Sequence, residues 1–193
     1  MKIRVLVLAT AVFAGALAAQ QPATPPVNPI TTAFKGRILG AARNIAQAFD
    51  SIPESKFSYK PTPAQLSFGY IAQHVTSDNY LFCGRFGGAP PSGIEADAAT
   101  PDSVKAKWPK ADLVTKLKAS FAYCAASLDQ VTDANIGEAV SFTMNGTARS
   151  TTRVNMVLGH ALDLADHYSQ IANYMRLNNL IPPSALPRPG RGN

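Results

Sequence analysis

Residues 157–183 read VLGHALDLADHYSQIANYMRLNNLIPP, and the fold turns on how this stretch is read. It is the body and end of a long helix: Asn178 and Asn179 can stop it, and Pro182 and Pro183 bar its continuation. It also carries His160 and His167, two of the three histidines in the chain. At about 100° of turn per residue, Asp163 lies roughly 60° and His167 roughly 20° from His160, so the three side chains share one face. Such a face can hold a metal ion. The third histidine, His74, lies far upstream on the border of another apolar stripe, and the fold has to bring it opposite for the face to acquire a partner.

Upstream, the apolar period defines three further helices. Phe34, Ile38, Leu39, Ala42, Ile45, Ala46 and Phe49 recur at threes and fours between Thr32 and Ser51, and Pro53 ends that run. A second helix is expected from Thr62 as N-cap and Pro63 as first helical residue, with Phe68, Ile71, Val75 and Phe82 as its core stripe and Gly84, Gly87 and Gly88 closing it. Asp78 sits one turn beyond His74; it can orient that ring by a hydrogen bond, although solvation is the default for an aspartate on a helix. Residues 88–109 read as a loop with one short helix near Asp102 to Trp108. A third long helix fits Ala111 to Val131 through Val114, Leu117, Phe121, Cys124 and Leu128. Residues 132–149 read as a connection, and the last helix spans Ser150 to Leu177. With no convincing pair of alternating strands, these elements predict an all-α fold, an up-down four-helix bundle with long connections.

The ends differ in character. Residues 1–19 have the anatomy of a secretory signal peptide, with Lys2 and Arg4 before an apolar run and a small-residue cleavage site at Ala16-Leu17-Ala18. Export to a periplasmic or extracellular compartment is therefore expected, with no membrane attachment once the leader is removed. Residues 20–31 form a Pro-rich leader, residues 32–183 the bundle, and residues 184–193 a mobile tail. Removing Lys2 and Arg4 takes the 18 basic residues to 16 against 12 acidic ones, and the charge from +6 to +4. The remaining lysines are scattered, which argues against a nucleic-acid partner. The expected partners are a small molecule and, through an exposed apolar helix face, a second copy of the chain. Cys83 and Cys124 can form one disulfide in an oxidising compartment or remain two buried thiols. Asn145-Gly146-Thr147 matches a glycosylation sequon, a pattern too short to carry weight.

On spacing, a divalent ion gripped by Asp163 and His167 at i and i+4, with His74 as third donor, would suit zinc, nickel, manganese or iron. The string Asp166-His167-Tyr168-Ser169-Gln170, followed by Asn173-Tyr174-Met175-Arg176 and Leu180-Ile181-Pro182-Pro183, resembles the last-helix signature of the DinB/YfiT-like family. Phe57-Ser58-Tyr59-Lys60-Pro61-Thr62-Pro63, Ser67-Phe68 and Ala72-Gln73-His74-Val75 are similar to that family's second-helix region. The resemblance covers roughly residues 33–183. It implies a four-helix bundle with a metal on three histidines, one from the second helix and two from the last. His74 and His167 match two of these positions. Asp163 stands where the family has its other histidine, and His160 is held in reserve as a substitute or supporting ligand. The resemblance further implies a metal-dependent hydrolase or a thiol-dependent transferase; a non-catalytic binding bundle with a degenerate metal site is the alternative that Asp163 raises.

Overall fold

The computed structural model describes residues 27–89, 91–144 and 146–187. The expected leader peptide over residues 1–19, residues 20–26 of the Pro-rich segment, Asn145 of the sequon and residues 188–193 of the tail lie outside the described residues. In chain order the helices are α1 (Pro29–Ser51), α2 (Phe68–Cys83), the short α3 (Ile94–Ala99) and α4 (Asp102–Lys105), α5 (Lys110–Leu128) and α6 (Arg153–Leu177), with a hairpin of β1 (Ala139–Met144) and β2 (Thr147–Thr152) before α6. No described helix is long and apolar enough to cross a membrane.

The four long helices form the bundle, with α2 packed against α5 and α6, and α1 against the same two. Asn79 and Cys83 of α2 meet Ser120 and Cys124 of α5 in that order, so those helices run parallel. Phe68, His74 and Phe82 meet Tyr174, His167 and His160 of α6, so α2 and α6 run antiparallel. Lys35 and Asp50 of α1 pair with Asp129 and Lys118 at the far and middle parts of α5, which sets α1 antiparallel to α5. The directions along the chain are up, down, down, up. The parallel step from α2 to α5 requires the chain to travel back along the bundle, and the long connection with α3 and α4 does this. The core is continuous, with Ile45, Phe49, Phe68, Ile71, Leu117, Leu164 and Ile171 fully buried. Each such side chain taken from water contributes about 1.5–3 kcal/mol.

Three local expectations need correction. Helix α1 starts at Pro29 rather than Thr32, because the Asp133 carboxylate accepts from Ile30 N (3.0 Å) and Thr31 N (2.8 Å) and so satisfies free donors at the helix start. Helix α2 starts at Phe68, with Ser67 accepting from Tyr70 N at 3.2 Å, and not at Pro63. Tertiary bonds decide this: Phe68 N donates to Tyr59 O (3.2 Å) and Gly69 N to Phe57 O (2.8 Å), tying the chain back on itself just where the helix begins. Gly69 permits the approach, since a Cβ there would lie 2.4 Å from Ala106 O. The third correction is the hairpin inside the expected connection, paired from Ala139↔Thr152 to Met144↔Thr147, which also moves the start of the last helix from Ser150 to Arg153. Gly146 turns it at φ 73°, and Arg85 covers the Phe142 ring at 4.5 Å.

Candidate metal centre

Because α2 and α6 are antiparallel neighbours, their polar stripes meet halfway along the contact. On α2, His74 and Asp78 are one turn apart, with His74 Nε2 3.2 Å from Asp78 Oδ2. On α6, Asp163 and His167 repeat the pattern, with His167 Nε2 3.4 Å from Asp163 Oδ1. The two imidazoles meet edge to face at 5.0 Å between centroids. His74, Asp78 and His167 each place a ligand atom within 4.8 Å of the others. The compact trio therefore contains Asp78, and Asp163 stands behind His167 outside it. Sequence reasoning left Asp78 as a default solvated residue, whereas its side chain is only 16% exposed. The available signal was its spacing from His74, the same i,i+4 step that singled out Asp163 and His167.

Electrostatics favour a cation here. Burial pushes the Asp78 carboxyl up to about 6, against the pull of His74; Asp163 raises it, His167 lowers it and Asp102 raises it. Burial also works against a charged His167, but the hydrogen bond and charge of Asp163, joined by Asp78 and Gln170, outweigh it and hold that imidazole above its ordinary value. Two polar atoms of the cluster, Asp163 Oδ2 and His167 Nδ1, are buried without a hydrogen bond of normal geometry. A neutral His167 that donates its Nε2 proton to Asp163 carries its lone pair on Nδ1, so ring orientation and ligand capacity are set together. The residues present fit a divalent ion: two imidazoles, two carboxylates, and buried donor atoms that protein groups leave unpaired.

The reserve ligand, the two cysteines and the polar residues of the last-helix string lie elsewhere. His160 is fully buried and turned from the trio, with Nε2 2.8 Å from Asn79 Oδ1 and its ring stacked on Phe82 at 5.5 Å. Burial lowers its pKa to about 4, with Asp163 opposing only in part. Cys83 and Cys124 are joined by a disulfide across a Cα separation of 5.1 Å. Tyr168 accepts from Ser184 N at 2.8 Å, Tyr174 packs against Phe68 and takes a hydrogen bond from Gln170, and Asp166 and Arg176 are exposed. None of these four reaches the trio through a hydrogen bond.

The sequence pattern of the DinB superfamily matches residues 37–171. A DinB-like protein of Bacillus cereus ATCC 10987 superposes with a TM-score of 0.61 at 14% identity, over 79% of this chain and 95% of its own. A conserved protein of Enterococcus faecalis superposes with a TM-score of 0.54 at 18% identity, over 76% of this chain and 95% of its own. At such identities the likeness is one of fold. No curated protein matches the chain. With the family pattern spanning most of the bundle, and all four long helices within or overlapping it, the chain belongs to the DinB superfamily.

Proposed function

We propose that the protein is an exported metal-dependent enzyme, a hydrolase acting on a small molecule, with one divalent ion on His74, Asp78 and His167 and with Asp163 supporting His167. The observation that carries this reading is the convergence of two imidazoles and a carboxylate from facing helices, beside unpaired buried atoms of Asp163 and His167. The family resemblance adds the expectation of a metal at His74 and His167. When bound, the ion supplies Lewis acidity that polarises an attacking or accepting oxygen. The chain's own residues do the rest. Asp163 orients the His167 ring, and Asp78 supplies the carboxylate that would hold the ion beside His74. His74, 34% exposed, opens the centre to solvent and to substrate. Export separates the protein from cytosolic thiols, which favours hydrolysis over thiol transfer, and the Cys83–Cys124 bond supports an oxidising compartment.

Elemental analysis of purified protein after supplementation with zinc, nickel, manganese or iron tests the first step. One equivalent is expected in the wild type and a large loss in His167→Ala; less than about a tenth of an equivalent in the wild type would sink the proposal. Cell fractionation with mass spectrometry of the mature N-terminus tests export.

A non-catalytic binding bundle is favoured by one observation. Each histidine already faces a carboxylate, at 3.2 and 3.4 Å, so the cluster can persist as two ion pairs without a metal. In that case His167→Ala leaves the metal content unchanged at background.

A further inference from the structure

A second set of metal-ligating side chains lies about two helical turns away along α6, in the core. Cys83 ends α2, Cys124 belongs to α5 and His160 to α6; all three are buried, and each offers a ligand atom within 4.8 Å of the others. Cys83 Sγ is 3.8 Å from His160 Nδ1 and 4.0 Å from Nε2, and Cys124 Sγ is 4.0 Å from Nε2. In the disulfide the sulfurs carry no thiolate charge, so the group has no capacity for a cation in that state.

A chain of hydrogen bonds fixes the tautomer of His160. Ser120 Oγ donates to Leu117 O at 2.8 Å and so has to accept the Asn79 Nδ2 proton at 2.8 Å. That leaves Asn79 Oδ1 facing His160 Nε2 at 2.8 Å, so a neutral imidazole donates from Nε2 and keeps Nδ1 unprotonated. Nδ1 is also the ring nitrogen nearer to Cys83 Sγ. An outer hydrogen bond that sets ring and tautomer in this way is what a metal-ligating histidine requires.

We propose that Cys83, Cys124 and His160 form a redox-gated site for a thiophilic divalent ion, zinc by preference, closed by the disulfide and opened by its reduction. Two thiolates and one imidazole from three helices are a zinc-type donor set, softer than the oxygen-bearing cluster at His74 and His167. The site is independent of the proposed function of that cluster. Reduction by a dithiol transfers two electrons and two protons: the Cys83–Cys124 bond breaks, two cysteine thiols form, and the dithiol closes to its own disulfide. Binding of the ion then releases both thiol protons to solvent. Asn79 is a positioning residue, acting through His160.

The test uses cobalt(II) in place of zinc, because thiolate-to-cobalt charge transfer in the near ultraviolet reports sulfur ligation alone. The purified wild-type protein is reduced with dithiothreitol, freed of it by anaerobic gel filtration and titrated with cobalt(II), with circular dichroism followed in parallel. One equivalent with charge-transfer absorption is expected in the reduced protein and none in the oxidised protein. Zinc displaces the cobalt, Cys124→Ser abolishes the band, His167→Ala keeps it, and His160→Ala or the milder His160→Asn weakens binding by at least about tenfold. A reduced protein that shows no charge-transfer band, whether folded or unfolded, overturns the proposal. So does wild-type affinity in both His160 variants.

Discussion

Acidification should expose the cost of burying His160. The free imidazole titrates near 6.5, but in the fold burial lowers this to about 4, so the unfolded chain takes up a proton well before the folded one does. The stability held by neutral His160 is therefore complete above about pH 6.5 and is lost as pH falls towards 4. Two and a half pH units at 1.36 kcal/mol each make the loss about 3 kcal/mol. Asp78 works in the opposite sense: its folded pKa near 6 lies above the ordinary carboxylate value, so acid stabilises the fold through it between about 6 and 4. A wild-type profile alone would blend the two, and comparison with His160→Asn at each pH cancels the Asp78 part. At pH 7 the variant should be less stable by about 2–3 kcal/mol, having lost the Asn79 hydrogen bond and the packing on Phe82. By pH 4 the gap should close. Urea unfolding of the metal-free, disulfide-bonded proteins at pH 7, 6, 5 and 4, followed by far-ultraviolet circular dichroism, measures it. A gap that stays constant over this range would refute the argument that His160 is buried as the neutral base.

Other consequences are open to direct measurement. Gly69→Ala places a Cβ 2.4 Å from Ala106 O and 3.3 Å from Phe57 O, both backbone atoms, and should cost about 2 kcal/mol or more, seen as a Tm lower by about 4–8 °C. Replacing both cysteines by alanine removes a cross-link over 41 residues and should cost about 4 kcal/mol in the chain-entropy account; an unchanged urea midpoint would contradict it. Metal affinity at the His74, Asp78 and His167 cluster should fall with pH, because the His167 imidazole, held above its ordinary value, takes up a proton first and Asp78 follows at about 6; a loss of about tenfold or more per pH unit is expected, which calorimetric titration with zinc at pH 5 and 7.5 would reveal.

The four long helices were legible because their buried positions recur at threes and fours, as Ile38, Ala42, Ile45 and Phe49 do in α1. The hairpin was not, since only β1 alternates, from Val140 to Met144, while β2 reads Thr-Ala-Arg-Ser-Thr-Thr and stays largely exposed, so no second alternating run marks its partner. The Asn145-Gly146 pair between the strands was the one local sign of a two-residue turn. The start of α2 was misplaced for a different reason. Thr62 and Ser67 are equally good caps, and only the bonds from Phe68 and Gly69 back to Tyr59 and Phe57 choose between them.

For the site, local sequence determined which side chains could bind a metal and on which helix face each stands. A helical projection groups His160, Asp163 and His167 within about 60°, and so cannot rank them. Tertiary structure ranked them through the axial register of α2 against α6, two helices separated by most of a hundred residues of chain. In that register His74 and Asp78 meet His167, with Asp163 behind it, while Asn79 and Cys83 meet His160. His160 and His167 are seven residues or about 10.5 Å apart on α6, so a slip of one turn, about 5.4 Å, would already separate both sets of partners. The register is set by core packing such as Phe68 against Tyr174, a contact between distant segments that no pattern within either helix contains.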